Sequence, residues 1–578
     1  MAGTMSSNSV INDRVLLNQV LQQRQNEREA PIPEYLAFEI FACEQALKEC
    51  DLSSDEIMSG VVGGGNDGGL DGIYVLLNRD LLSEDSEVLQ PDYNKRSTQN
   101  KLELWLVQAK IEESFSEIAI EKVADSCKRL LDLGASEHDL LALYNPEVVK
   151  RFGFFRQALT ALAARHPTVQ IHFTYATKGD ASAINSKIDI RKKDLEQQFS
   201  RVVNGSTGQV EFLGATELWK RSDQRSDYSI SLRYKEIATS ENSYVTLVSL
   251  SDYYEFITTD DDLKRHIFDW NIRDFQGSVE VNREIANSLS NEESPEFWWL
   301  NNGVTVLCTA ATLMGKRIQL DNVQIVNGLQ TSHTIFNVLK SLPQGHPAFD
   351  HSILVRIIVT DDPDTRDGII RATNKQTTVS PGSLRATDPI QRKIETYFYG
   401  QQWFYDRRKN FYKNEGKNVE RIVGIPFLAQ AVMAMGLSRP DNSRARPSSL
   451  LKKDDEYHKM FSDKTPLEIY FWLAVAQKSV DSYLLSDASL TGAERNNFRF
   501  YVSMLAAAKL AGHRLYSPRQ LGEIVNSEKS ISDANLEGCL ELVRGSFEKE
   551  VERTSDSQDK IAKGPDMAGK ILKSARLS

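Results

Sequence analysis

Cysteine is scarce in this chain: five among 578 residues, an odd number with no CxxC pair. That excludes a disulfide framework and points to a reducing compartment. No His and Cys spacing of the zinc type is present either. No hydrophobic run approaches membrane-spanning length, and the opening MAGTMSSNSVINDR lacks a signal-peptide core, so a cytoplasmic protein with no membrane partner is expected. The absence of a GxxxxGK[ST] run argues against P-loop ATP hydrolysis. Positive charge is also in deficit, 69 Lys and Arg against 80 Asp and Glu, which is awkward for a nucleic-acid binder. The deficit is uneven. From Gln391 to Lys453 there are 13 basic and 5 acidic residues, so this window carries +8 and the remainder about −19.

What is present is length enough for two to four cores. The pattern divides into a polar helical leader with an α/β unit over 1–220, a second unit of alternating strands and helices over 225–435, and a mainly helical region over 436–578. The expected fold class is multi-domain α/β. No internal repeats occur, and the tail after about Arg553 reads as loose.

The densest chemistry lies between 63 and 110. The run GGGNDGGLDGIYV ends in a hydrophobic strand, and LELWLVQAK reads as a second. Side chains alternate across a strand, so Gln108 and Lys110 share a face with Leu102, Leu104 and Leu106, while Val107 and Ala109 face the other way. One end of that face is buried and the other opens polar groups onto a cleft, with Asp71 at its mouth. Gly68, Gly69 and Gly72 would let the backbone take positive φ there. Hard oxygen donors suit Mg2+ or Mn2+: the Asp71 carboxylate, the Gln108 side-chain oxygen and the Ala109 carbonyl. Lys110 would orient or deprotonate the attacking water, or serve as a cation at the transition state. Asp67 competes with Asp71, which is preferred because it immediately precedes the strand. Upstream, PEYLAFEIFACEQALKEC reads as an amphipathic helix with Leu36, Ile40, Cys43 and Leu47 on one stripe. Its Glu39 is either an exposed helix glutamate or an extra metal ligand, because two adjacent carboxylates at about 4 Å repel by roughly 4 kcal/mol at an effective dielectric of 20 unless a cation lies between them.

GGNDGGLDGIYV followed by VQAK resembles the Mrr-type branch of the restriction-endonuclease-like nucleases, whose motif is an aspartate, then Glu or Gln, one residue, then Lys. The resemblance implies a restriction-endonuclease-like α/β core over 1–220. It makes Asp71, Gln108 and Lys110 the catalytic positions, with Glu39 as the helix-borne glutamate. A following helix over Ser116–Leu133, with Ile120, Val123, Cys127 and Leu130 inward, and an alternating strand at Val169, Ile171, Phe173 and Tyr175 fit it. Two departures stand out: a long polar insertion over Arg79–Lys101, and Gln108 in place of Glu, which removes one negative charge from the metal site.

Further along, WNIRDFQGSVEVNREI, FWWLNNGVTVLC, VQIVNGLQTSHTIFNVL, RATNKQTTVSPGSLRA and YDRRKNFYKN resemble, in order, the AIPR family, named for abortive infection and phage resistance. The match spans about 230 to 435 and implies bacterial defence against phage. In VQIVNGLQTSHTIFNVL a strand runs through Asn327 and Gly328 into a helix whose free N–H groups favour an anion, with Gln330 and Thr331 in its first turn. Thr331 or Ser332 could cap it. With Asn374 from the TNKQTTV loop this outlines a phosphate pocket. Alternatively, Asn302, Asn327 and Gln330 hydrogen-bond loops within the domain. The cluster Arg407, Arg408, Lys409 and Lys413, interleaved with Tyr405, Phe411 and Tyr412, suggests nucleic-acid or nucleotide phosphate contact with base stacking.

Two functions are therefore expected as rivals. One is an Mg2+- or Mn2+-dependent DNA endonuclease of anti-phage defence, its AIPR half binding nucleic acid, a nucleotide or a phage-derived trigger and controlling cleavage. Cutting both strands would favour a homodimer. The other is a non-catalytic DNA- or nucleotide-binding sensor.

Overall fold

The computed structural model describes the chain except residues 1, 29–30, 51, 91–92, 94–99, 224–228, 242, 260–261, 269–287, 290–294, 344, 375–384, 408–409, 415, 446–450, 452, 528 and 578. The fold is mixed α/β, with sheets of mixed orientation and a helical C-terminal region. The leader forms α1 (Ala2–Asn26), followed by α2 (Glu34–Ala46) and α3 (Ser54–Gly60). A sheet is then built from β1 (Gly72–Leu77), β2 (Asp80–Leu81), β3 (Lys101–Lys110), β4 (Thr168–Thr177) and β5 (Thr207–Leu213) in the order β2-β1-β3-β4-β5. Strand β1 runs antiparallel to β3, with Gly72 opposite Val107, whereas β3, β4 and β5 are parallel. The long insertion does not disturb that pairing, because β1 and β3 remain in register from Leu77 opposite Leu102 onward.

Alternation along β3 assigns the two faces. Leu102, Leu104 and Leu106 enter a core with α4 (Glu117–Leu130), α5 (Glu137–Leu141), α6 (Pro146–Leu162) and α7 (Ser186–Phe199). The expected stripe Ile120, Val123, Cys127 and Leu130 is buried there. On the other face Val107 and Ala109 meet α2, Leu17 of α1 and Leu218 of α8 (Ala215–Asp223). Helix α2 has no solvent-facing half. Phe38, Phe41, Ala42 and Cys43 pack on the sheet, while Leu36 and Ile40 pack toward Leu485 of the C-terminal helices. The single stripe expected from its sequence is thus replaced by two buried faces.

The second unit holds β6 (Ile230–Arg233), β7 (Glu236–Ser240), β8 (Ser243–Ser249), α9 (Leu250–Ile257), the two-residue strands β9 (Thr258–Thr259) and β10 (Asp262–Leu263), β11 (Val304–Cys308), β12 (Ala310–Met314), β13 (Arg317–Asp321), β14 (Gln324–Asn327) and β15 (Ser352–Val359). Sheets ordered β14-β11-β15-β8-β7 and β12-β13-β6 share one core with α9 and the helix Leu329–Ser341. Residues from Ile390 to Met435 pack with Tyr457–Ala476 and Ala507–Ile524, across the expected boundary at 435.

Charges join the two halves. Glu84, in the long insertion, pairs with Arg444 at 2.8 Å, with Lys563 at 2.6 Å and with Lys150, while Arg444 also reaches Asp559 at 2.9 Å. Burial opposes its ionisation, yet Arg444, Lys150 and Lys563 together hold the Glu84 carboxyl well below the usual range. Arg28 pairs with Glu420 at 3.1 Å, and Lys413 donates to the Leu52 carbonyl at 3.2 Å. All five cysteines are free, and among the described residues no helix is long and apolar enough to cross a membrane.

Candidate active site

The glycine run makes a tight loop over α4. Gly68 and Gly69 have φ of +70° and +85°, and a Cβ on Gly68 would lie 2.9 Å from Ser126 Oγ. Both positions therefore need glycine. Gly72 does not take positive φ as expected. It is a strand residue, small because a Cβ would come within 2.5 Å of Cys43 Sγ on α2. Asp67 closes the loop, accepting the Gly69 N–H at 2.6 Å and pairing with Lys122 at 3.1 Å. The chain then enters β1 through Asp71, whose N–H donates to the Val107 carbonyl at 2.8 Å.

The loop delivers the Asp71 side chain to the end of β3. Its Oδ2 accepts the Ala109 N–H at 2.8 Å and lies 3.9 Å from Lys110 Nζ. Asp71 and Gln108 are 5% and 2% exposed, whereas the Lys110 side chain is 40% exposed, so the amine forms the open side of the site. Gln108 Oε1 is buried without a hydrogen-bond partner. Glu39 approaches from α2, on the opposite face of the sheet. Burial, then the negative charge of Asp71, pushes the Glu39 carboxyl up to about 8, against the pull of Lys110. Burial likewise raises the Asp71 carboxyl to about 6, although Lys110 and the Ala109 N–H favour its ionised form.

The donor set suits a hard cation. Two carboxyls with raised proton affinity, and an amide oxygen without a partner on the strand that Asp71 meets, are hard oxygen donors. The Ala109 carbonyl shares the strand edge of its N–H, on the Asp71 side, and would add a further oxygen. Among the described residues there is no group of three or more His, Cys, Asp or Glu able to hold a metal, so the carboxylate pair depends on Gln108 and that carbonyl, and weak affinity is expected.

One more cation stands nearby that no sequence motif announced. Arg495, in the first turns of the helix Gly492–Ala511, pulls the Glu39 proton affinity down and donates to the Leu490 carbonyl at 3.0 Å. A Cβ on Gly63 would be 3.7 Å from its guanidinium, and one on Gly492 3.4 Å from the Gly63 nitrogen. The start of this helix thus lies against the glycine run.

The other proposed residues behave differently. Asn327 donates its side-chain amide to the Thr373 carbonyl at 2.7 Å, joining two elements of its own domain. Gly328 is the N-cap at φ +101°, with no side-chain cap, because a Cβ there would meet Val304 Cγ2 at 2.7 Å. The expected caps do not form: Ser332 Oγ donates back to the Gly328 carbonyl at 2.8 Å and lies 2.7 Å from the Tyr253 hydroxyl, and Thr331 is buried beside Asn301. Gln330 is half-buried, and its carbonyl accepts from the Thr334 hydroxyl at 2.8 Å. The side chain of Asn374 lies outside the described residues, as do Arg408 and Lys409.

Arg407 corrects the basic-cluster expectation. Its side chain is 1% exposed, donating to Glu395 at 2.7 Å and to the Ala386 carbonyl at 2.5 Å, so it cannot reach a phosphate. Tyr405 is buried against Gln391 at 2.5 Å and Tyr412 is bound toward Glu395 at 3.3 Å, which removes both as stacking platforms. Lys413, half-buried, donates to the Leu52 carbonyl in the first half of the chain at 3.2 Å.

Comparison with curated proteins and with solved structures yields no significant match. Residues 268–555, just under half of the chain, match the family model described as AIPR protein, so this region is similar to that family.

Proposed function

We propose that the first half of the chain is a restriction-endonuclease-like, Mg2+- or Mn2+-dependent DNA endonuclease, controlled by the AIPR half in anti-phage defence. The observation that carries this reading is that Asp71 meets the end of the strand bearing Gln108 and Lys110, 3.9 Å from the Lys110 amine, with Glu39 in electrostatic reach and Gln108 Oε1 left without a partner. The mixed sheet supports it too, since an antiparallel β1-β3 pair followed through helices by a parallel β4 brings an acid and a QxK strand together.

Asp71, Glu39, Gln108 Oε1 and the Ala109 carbonyl would hold the ion, which when bound polarises the phosphodiester and acidifies a water. Lys110 faces solvent beside Asp71 and donates to the attacking water or to the charge that develops on the phosphoryl oxygens as the P–O bond breaks. Asp71 is fixed for its part by the Ala109 N–H, so it needs no reorganisation. Control by the AIPR half is supported by Arg495 and Gly492, which bring that half against Glu39 and the glycine run.

The burial of Asp71 and Gln108 favours the rival reading, a module that grips DNA or a nucleotide without cutting. Plasmid cleavage with Mg2+ and with Mn2+, comparing wild type with Lys110→Ala, separates the two. Metal-dependent cutting lost in the variant supports hydrolysis; equal cutting in both, or none with either metal, removes it. Melting with Mn2+ supplies an independent readout, since wild type should be stabilised and Asp71→Asn should not.

A further inference from the structure

Helix α1 distributes its charge in the reverse of the usual way for a surface helix. Leu17 is fully buried and, with Val20 and Leu21, joins the core shared with α2 and α8. All three charged residues of the helix are held by partners in the same chain. Asp13 accepts the Thr216 hydroxyl at 2.8 Å, Arg14 donates to the Lys178 carbonyl at 2.9 Å and pairs with Glu113, and Arg24 pairs with Glu44. The outer side is left without charge. Between residues 10 and 26 nine positions are exposed, and they hold only Ile, Val, Leu, Asn and Gln. With 26% of the chain charged, composition alone would put about two charges there.

Ile11, Val15, Asn18 and Gln22 form one stripe on this face, at the spacing of a coiled-coil seam. Ile11 and Val15 are 54% and 63% exposed. Charge selects the occupant. Nucleic acid or acidic lipid finds no exposed cation on the face, and a partner recognised through ion pairs finds nothing to pair with. Two copies of a chain carrying −11 repel each other, so the surface that joins them has to be one without charge. The face is also graded, aliphatic at Ile11, Val15 and Leu16 and amide from Asn18 onward. Antiparallel pairing would set aliphatic groups against amides. Parallel pairing about a two-fold axis sets Ile11 and Val15 on their own copies and lets Asn18 and Gln22 hydrogen-bond across the axis, where buried polar residues fix register. Because α1 is already folded against α2 and α8, pairing adds no nucleation cost.

We propose that the outer face of α1 is the self-association surface of this protein, pairing in parallel with α1 of a second copy through Ile11, Val15, Asn18 and Gln22. The pairing does not depend on the nuclease reading.

The test is sedimentation equilibrium of the whole chain over about a hundredfold range of concentration, with no DNA or metal present. The mean mass should rise toward that of a dimer, and no less so at high salt, since no ion pair is there to be screened. Val15→Glu sets like charges across the axis at an exposed position and should weaken association about tenfold or more, with melting of the dilute protein unchanged. Leu313→Glu, at an exposed leucine of β12, should associate as wild type does. Gln22→Cys should oxidise to a disulfide-linked pair, because parallel helices bring this residue to its own copy. A chain that stays monomeric at every concentration, which would leave the face to another protein or to lipid, overturns the proposal. So does Val15→Glu associating as tightly as wild type, or Leu313→Glu as weakly as Val15→Glu. A Gln22→Cys chain that dimerises without cross-linking overturns the parallel arrangement.

Discussion

Two sets of polar residues in this chain had similar credentials, and they are used in opposite ways. At the end of β3, Asp71, Gln108 and Lys110 converge with charge and hydrogen-bonding capacity left over. In the region similar to the AIPR family, Asn327 and Arg407 are spent on internal partners, Thr373, Glu395 and Ala386. The difference teaches that a motif whose groups hold internal partners is spent on the fold, whereas one with a partner missing is the place to test for a ligand. Buried groups that have found partners stabilise, and a buried group without one carries a desolvation cost.

The comparison can be broken most sharply at Arg407. Arg407→Ala removes a buried guanidinium from the half-buried Glu395 and should cost about 2–3 kcal/mol, seen as earlier denaturant unfolding, while the salt slope of DNA binding stays unchanged. A lowered slope with unaltered stability would return Arg407 to the surface chemistry that its sequence neighbours suggest. Next in size is the strand-end site, where Asp71→Asn or Lys110→Ala should reduce metal-dependent cleavage by about 10²- to 10³-fold with little change in melting temperature. Loss of folding instead would place these residues with the internally satisfied set.

Acidity sharpens the contrast further. The Glu39 and Asp71 carboxyls are raised in the folded chain to about 8 and about 6. The native state then holds protons that the unfolded chain releases, so the stability they contribute is complete below about pH 4 and is lost as pH rises through 6 and then 8. Metal-free melting should therefore fall over that interval. Glu39→Gln should flatten the upper part of the fall, and added Mn2+ should restore more stability at pH 8 than at pH 6. A profile identical in wild type and variant would mean that Glu39 does not face Asp71. The smallest expected effect is at Arg495, where Arg495→Ala should raise basal cleavage about fivefold by releasing the AIPR contact on the glycine run. Unchanged cleavage would detach that contact from control.

Local periodicity alone makes three elements legible in the sequence: the strand carrying Gln108, the helix with Ile120 and Val123 inward, and the strand through Tyr175. That Asp71 rather than Asp67 adjoins the strand is legible for the same reason. What escapes is decided by partners remote in sequence. Arg407 turns inward because Glu395 lies across from it, and Lys413 is drawn to the Leu52 carbonyl. The polar insertion reads as a liability to strand pairing until Glu84 meets Arg444, 360 positions away. The missing cap at Gly328 follows from the closeness of Val304, which a one-dimensional pattern does not contain.

That insertion has a practical corollary. Severed near residue 223, the N-terminal piece would keep Glu84 and Lys150 while losing Arg444, Asp559 and Lys563, and would bare Leu36 and Ile40 to water. Such a fragment is a poor candidate for separate purification, and its inactivity in a bench assay would report on exposed surface rather than on catalysis.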